Sequence, residues 1–149
     1  MKNNGDYWGH FWWFESGALE ALYKVTSVLT AEEKDSSGNM HDKGWCLTKA
    51  AKKDFTRQIS QWFRRNYDDL CELADLGEPW SDMGIDLLCS IQHQGTGFWD
   101  QFSPDKAIAL RKKDIGKRLD QAAKVSYGEE DFLLYVKRGK FCEFVWPLS

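Results

Sequence analysis

The chain has 149 residues and a formal net charge of −3, and 15% of it is aromatic, with eight tryptophans. That length fits a single domain, 1–149, with enough core to fold without staples. The mild acidity argues against a general DNA binder and is too small for a DNA mimic. No stretch approaches the ~18 apolar residues of a membrane span, and the N-terminus lacks the apolar run of a secretory signal.

Residues 7–14 read YWGHFWWF, six rings in eight positions. Rings favour the pleat, so an aromatic strand or extended arm is predicted over 1–23, followed by a short helical piece and a second strand over 24–29. Period two puts Trp8, Trp12 and Phe14 on one side and Tyr7, Phe11 and Trp13 on the other. One set would face water, which marks an interface. In a helix Trp8, Phe11 and Trp12 would group instead, with Trp13 pointing away. Tyr7, Trp8, Phe11, Trp12 and Trp13 are therefore the candidate protein-binding residues. Deleting 1–14 is expected to leave a folded domain without its partner.

Residues 31–47 are polar around Ser-Ser-Gly-Asn and read as a surface loop. Thr48 is a candidate N-cap for an amphipathic helix over 49–75, carried by Phe55, Ile59, Trp62, Leu70 and Leu73 and stopped by Gly77, Glu78 and Pro79. The apolar run GIDLLCSI, 84–91, reads as a strand. Ser103 and Pro104 then cap a second helix through Ile108, Ile115, Leu119 and Ala122, with Gly116 marking a break. Residues 131–137 and 140–146 alternate about Arg138-Gly139 as a hairpin. The predicted class is α+β: a small, mostly antiparallel sheet with two amphipathic helices and a C-terminal β-hairpin.

The loop at 92–102, QHQGTGFWDQF, raises a chemical question. It lacks the lysine and the glycine spacing of a phosphate loop. His93 beside Asp100 or Asp86 is a weak general-base signal, because catalysis needs a geometric partner. The reading adopted is a structural turn over Gly95, Gly97, Trp99 and Asp100, with both glycines free to take positive φ. The other histidines, His10 and His41, share no metal-ligand spacing with it, and no metal or cofactor is expected. Cys46, Cys71, Cys89 and Cys142 form no C-x-x-C pair and lie among apolar residues, so they read as reduced, mostly buried thiols of a cytoplasmic protein.

Gly95-Thr-Gly97-Phe98-Trp99-Asp100, then Gly116-Lys-Arg-Leu119 running to Ala122-Ala123-Lys124, then Tyr127-Gly128-Glu129 running to Tyr135-Val136, keep a recognisable order and spacing. This half, 85–146, resembles a widespread family of small bacteriophage proteins that carry "DFWLTRNGHGAGFWD" and then "GxxLxxAAKxxGExDLYV". The chain departs from that pattern at Leu88, where the family has Trp, and at Ile91-Gln92. No catalytic residue carries over. The resemblance implies a phage accessory protein in host bacterial cytoplasm, not an enzyme, that binds and modulates or inhibits a host factor or defence complex, as anti-CRISPR proteins do. Homo-oligomerisation is compatible with that reading. The alternative is a nucleic-acid-binding accessory protein that uses basic helix faces, with Lys53, Arg57, Arg64, Arg111, Lys112, Lys117 and Arg138 as candidate contacts.

Overall fold

The structure is a computed structural model that describes residues 6–25, 28–29, 46–92, 98, 103–127, 133–138 and 141–145. Among the described residues there are five helices: α1 (Tyr7–Val25), α2 (Lys49–Arg65), α3 (Tyr67–Asp75), α4 (Trp80–Gln92) and α5 (Lys106–Tyr127). Four short strands accompany them: β1 (Val28–Leu29), β2 (Cys46–Leu47), β3 (Leu133–Arg138) and β4 (Phe141–Val145).

The α+β expectation is overturned, because the protein is mainly helical. Every buried side chain described sits on a helix except Phe98. The strands run in the order β1-β3-β4-β2. β3 and β4 pair antiparallel, with a register shift between Val136 and Arg138, while β1–β3 and β2–β4 are parallel. The outer strands are two residues long. The sheet is thus a minor element and not a mostly antiparallel platform for two helices.

The predicted aromatic strand is the first half of α1. Phe11, Phe14, Ala18, Ala21 and Leu22 fall at three- and four-residue steps and are all buried. That stripe satisfies a helix and continues without a break into ALEAL, whose residues are strong helix formers. Tertiary burial of one stripe overrides the strand preference of isolated rings.

The predicted strand over 84–91 is α4. Met83, Leu87, Leu88 and Ile91 are its buried face. Read back to Trp80, the run is helix-length, and the Met83 N–H reaches the Pro79 carbonyl at 3.2 Å. What holds α4 is α1. Gly17 lies against the Ser81 backbone, and Gly84 lies against the backbone of Phe14 and Ala18. Two glycines facing across the crossing let the helix backbones approach as no side chain would permit.

Thr48 caps α2, its side chain accepting from Ala51 N–H at 3.1 Å. The single helix expected over 49–75 is divided at Asn66. Its side-chain amide donates to the Trp62 carbonyl at 2.9 Å, and its φ of −113° leaves the helical range. A short amide that bonds its own turn competes with the backbone ladder in this way. α3 ends in a Schellman closure: Gly77 N–H bonds Ala74 O and Glu78 N–H bonds Leu73 O, both at 3.0 Å. Gly77 holds φ +108°, the left-handed region where a Cβ is penalised, and open space surrounds it. Gly77→Ala is expected to cost about 1 kcal/mol from backbone conformation alone, read as a lower urea midpoint at unchanged m-value.

α5 begins two residues later than expected, at Lys106 instead of Pro104. Asp105, not Ser103, is the cap: its carboxylate accepts from Ile108 N–H at 3.1 Å, while Ser103 Oγ accepts from Asp105 N–H at 3.3 Å. Gly116 is buried within an unbroken helix. Ile115, Leu119, Ala123 and Tyr127 face the core, and the Tyr127 hydroxyl donates to Gln58 O at 3.2 Å, tying α5 to α2. Burial raises the Tyr127 phenol pKa far above its ordinary value.

Trp62 stands at the centre of the core. It stacks on Phe14 (6.1 Å between centroids) and on Phe98 (5.7 Å). Phe98 is fully buried, and its N–H approaches Ser90 Oγ at 3.4 Å. The rest of the glycine turn (Gly95, Gly97, Trp99 and Asp100, with His93 and Gln94) lies outside the described residues.

Candidate interaction surface on the first helix

α1 has two unlike faces. Phe11 and Phe14 enter the core, where Phe11 meets Phe63 edge-on and Phe14 meets it tilted (5.2 and 4.9 Å between centroids). Trp8, Trp12 and Trp13 turn outward and are 69%, 58% and 56% exposed. Trp8 and Trp12 are one turn apart, and Trp13 meets Trp12 edge-on at 4.7 Å. Gly9 lies between them with open space above its backbone. Ser16 fills the next position, its hydroxyl donating to Trp12 O at 2.9 Å. From residue 7 to residue 14 no carboxylate, lysine or arginine interrupts the face.

Of the five sequence-derived contacts, Trp8, Trp12 and Trp13 are outward. Phe11 is a core residue and Tyr7 is half-buried. The expected helical grouping of Trp8, Phe11 and Trp12 is therefore wrong. The core stripe runs through Phe11, Phe14 and Ala18, and this sends Trp13 to the same outer surface as Trp8 and Trp12.

A ring cluster pins the N-terminal turn of α1 from below. His10 stacks on Trp80 at 4.3 Å with 12° between planes, and its Nδ1 lies 2.9 Å from the Tyr67 hydroxyl. Tyr7 adds an edge contact to Tyr67 at 4.8 Å. Burial first, and then a hydrogen bond with the Cys71 thiol, push the Tyr67 pKa far above that of an ordinary phenol. α1, α3 and α4 each supply part of this cluster from distant stretches of sequence, so no local motif announced it. Its effect is to hold the tryptophan face rigid.

The basic candidates are dispersed. On α5, Arg111 pairs with Glu72 and Asp114, and Arg118 bonds Asp69 and Asp114, each at 2.9 Å. The bond to Asp69 is the main cause that raises the Arg118 pKa. Lys112 is 6% exposed and bonds Glu78 at 2.9 Å. It is a structural ion pair and not a surface contact, which corrects its place among the candidates. Lys117 is exposed on α5. Lys53, Arg57 and Arg64 are exposed on α2, with Arg57 paired to Asp54. Arg138 closes β3, and its side chain lies outside the described residues.

No disulfide joins Cys46, Cys71 and Cys89. Cys46 is exposed, against the expectation of burial; Cys71 is buried and Cys89 partly so. Burial, then Asp86, raises the Cys89 pKa. Among the described residues no group of three or more His, Cys, Asp or Glu is placed to hold a metal, and no helix is long and apolar enough to cross a membrane.

No family model, curated protein or solved structure matches the chain. The bacteriophage resemblance finds no support in these comparisons.

Proposed function

We propose that this protein is a non-catalytic binding protein that modulates a protein partner through the outer face of α1. The observation that carries the reading is three tryptophans, each more than half exposed, on a helix whose opposite face is locked into the core. Tryptophan exposed in water is costly, and it dominates the hot spots of protein interfaces. Here the rings flank a bare glycine, so a partner side chain or backbone has a place to seat between them. The phage and defence-inhibitor setting rests on the resemblance alone and forms no part of the proposal.

Deletion of 1–14 is not a clean test, because it takes Phe11 and Phe14 out of the core. Point substitutions leave the core intact. Trp8→Ser with Trp12→Ser is expected to keep the helical circular dichroism and to weaken partner binding by about 100-fold or more, given roughly 2 kcal/mol per hot-spot ring. The measurement is quantitative capture from nuclease-treated lysate with wild type and variant side by side. A partner held equally by both would sink the reading.

A further inference from the structure

The basic residues of α2 and α5 have different fates. α3 carries Asp68, Asp69, Glu72 and Asp75 and no basic residue. Asp69, Glu72 and the adjacent Glu78 draw in Arg118, Arg111 and Lys112 of α5. α2 carries Lys49, Lys52, Lys53, Arg57, Arg64 and Arg65 against a single acid, Asp54. Among the described residues only Arg57 of this set bonds a carboxylate. The overall charge of −3 therefore hides a strongly cationic helix.

The cations on α2 are ordered. At about 100° per residue, Lys49, Lys53, Arg57 and Arg64 fall within a sector of roughly 80°, and Thr56 and Ser60 lie along the same side. The line is about 22 Å long. Lys49, Lys52 and Lys53 also fall within the first five positions, near the positive end of the helix dipole and at like-charge spacings of three and four. Both features disfavour the unliganded helix, and both are relieved by a bound anion.

The same end of α2 borders two hollows. Among the described residues, a cavity of about 640 Å³ is lined by Lys49, Ala50, Lys52, Lys53 and Thr56. A second, of about 400 Å³, shares Lys52, has apolar walls of Leu19, Leu22, Tyr23 and Leu47, and carries Glu20, whose carboxylate is paired with Lys24. The lysines of the first hollow beside the apolar walls of the second suit a phosphate joined to a flat, largely apolar body. A paired base enters such a hollow only by leaving its stack, which costs energy that an unpaired base does not spend.

We infer that the outer face of α2 binds single-stranded nucleic acid, its phosphates along Lys49, Lys53, Arg57 and Arg64 and bases in the hollows beside Lys52. This surface is separate from the tryptophan face and does not depend on it.

The test is fluorescence anisotropy with the full chain and a labelled single strand of about 20 nucleotides, against the same sequence as duplex. The single strand is expected to bind at least about tenfold tighter than duplex, with log affinity falling against log salt at a slope near −3 for four phosphate contacts. Lys53→Glu with Arg64→Glu should weaken binding by at least about tenfold and roughly halve the slope, whereas Lys117→Glu on α5 should change neither. Lys49→Glu should lower affinity while raising the melting temperature, because it replaces a misplaced cation at the helix start. That pairing separates lost binding from lost folding. The proposal is overturned by absence of saturable binding at about 50 mM salt, by duplex binding as tightly as single strand, or by Lys117→Glu losing as much as the α2 variant.

Discussion

Gly84→Ala is expected to destabilise the protein by about 3 kcal/mol, a loss of roughly 10 °C in melting temperature for a chain of this size. The sign is opposite to the helix-propensity rule, by which alanine in a helix interior gains about 1 kcal/mol over glycine. Space decides it. A Cβ on Gly84 would overlap the Phe14 carbonyl and crowd the Ala18 nitrogen. These are backbone atoms inside a hydrogen-bonded helix and cannot swing aside as a side-chain tip would. Relief requires α1 and α4 to separate, and that loosens the contacts of Phe14, Ala18, Met83 and Leu87, all fully buried. Gly17→Ala meets the Ser81 carbonyl from the other side and should behave alike. Gly9→Ala is the control: nothing lies within 4 Å of its added Cβ, so the propensity gain should survive as a few tenths of a kcal/mol. Thermal denaturation of the three variants checks the argument. A Gly84→Ala protein as stable as wild type would mean that the helices do not cross there.

The same crossing explains what could be read from the sequence. Thr48 as a cap and the stop at Gly77 were legible because both depend on neighbours within a few positions: Ala51 for the cap, Leu73 and Ala74 for the closure. Residues 84–91 were not. An apolar run of eight fits a buried strand and a buried helix equally, and only length and partner separate them. The length appears once Trp80 to Met83 join the run, and the partner is Gly17, far away in the chain. α1 failed for a related reason. Its rings suggested pleated packing, yet the stripe through Phe11, Phe14, Ala18 and Leu22 is helical, and burial against α4 and Phe63 decides. The outward tryptophans were anticipated only as a surplus of rings. Which rings are surplus depends on where the stripe falls, and it takes Phe11 from the expected contacts into the core. The basic residues were visible, but their partners were not: Asp69 and Glu72 lie 49 and 39 positions from the arginines that they hold.

Glu78→Ala is expected to cost about 2 kcal/mol or more, the larger effect among the charged residues. The Lys112 and Glu78 side chains are 8% and 17% exposed, so water screens their bond little. Arg111 and Arg118 are 48% and 44% exposed in their bridges, where an ion pair contributes under about 1 kcal/mol. Removing Glu78 takes an anion from a nearly buried ammonium, so the desolvation of Lys112 is offset less. Lys112→Met removes the charge itself and keeps the aliphatic stem, so it should cost less than Glu78→Ala although it breaks the same bond. The double variant should lose less than the sum of the two losses, because the under-compensated charge that makes the first change costly is absent. Salt gives an independent reading: about 0.5 M sodium chloride should erode the contributions of Arg111 and Arg118 but leave the Glu78 effect nearly unchanged. If Glu78→Ala and Lys112→Met cost the same and simply add, the pair is a surface contact, and Lys112 returns to the exposed basic residues of α5.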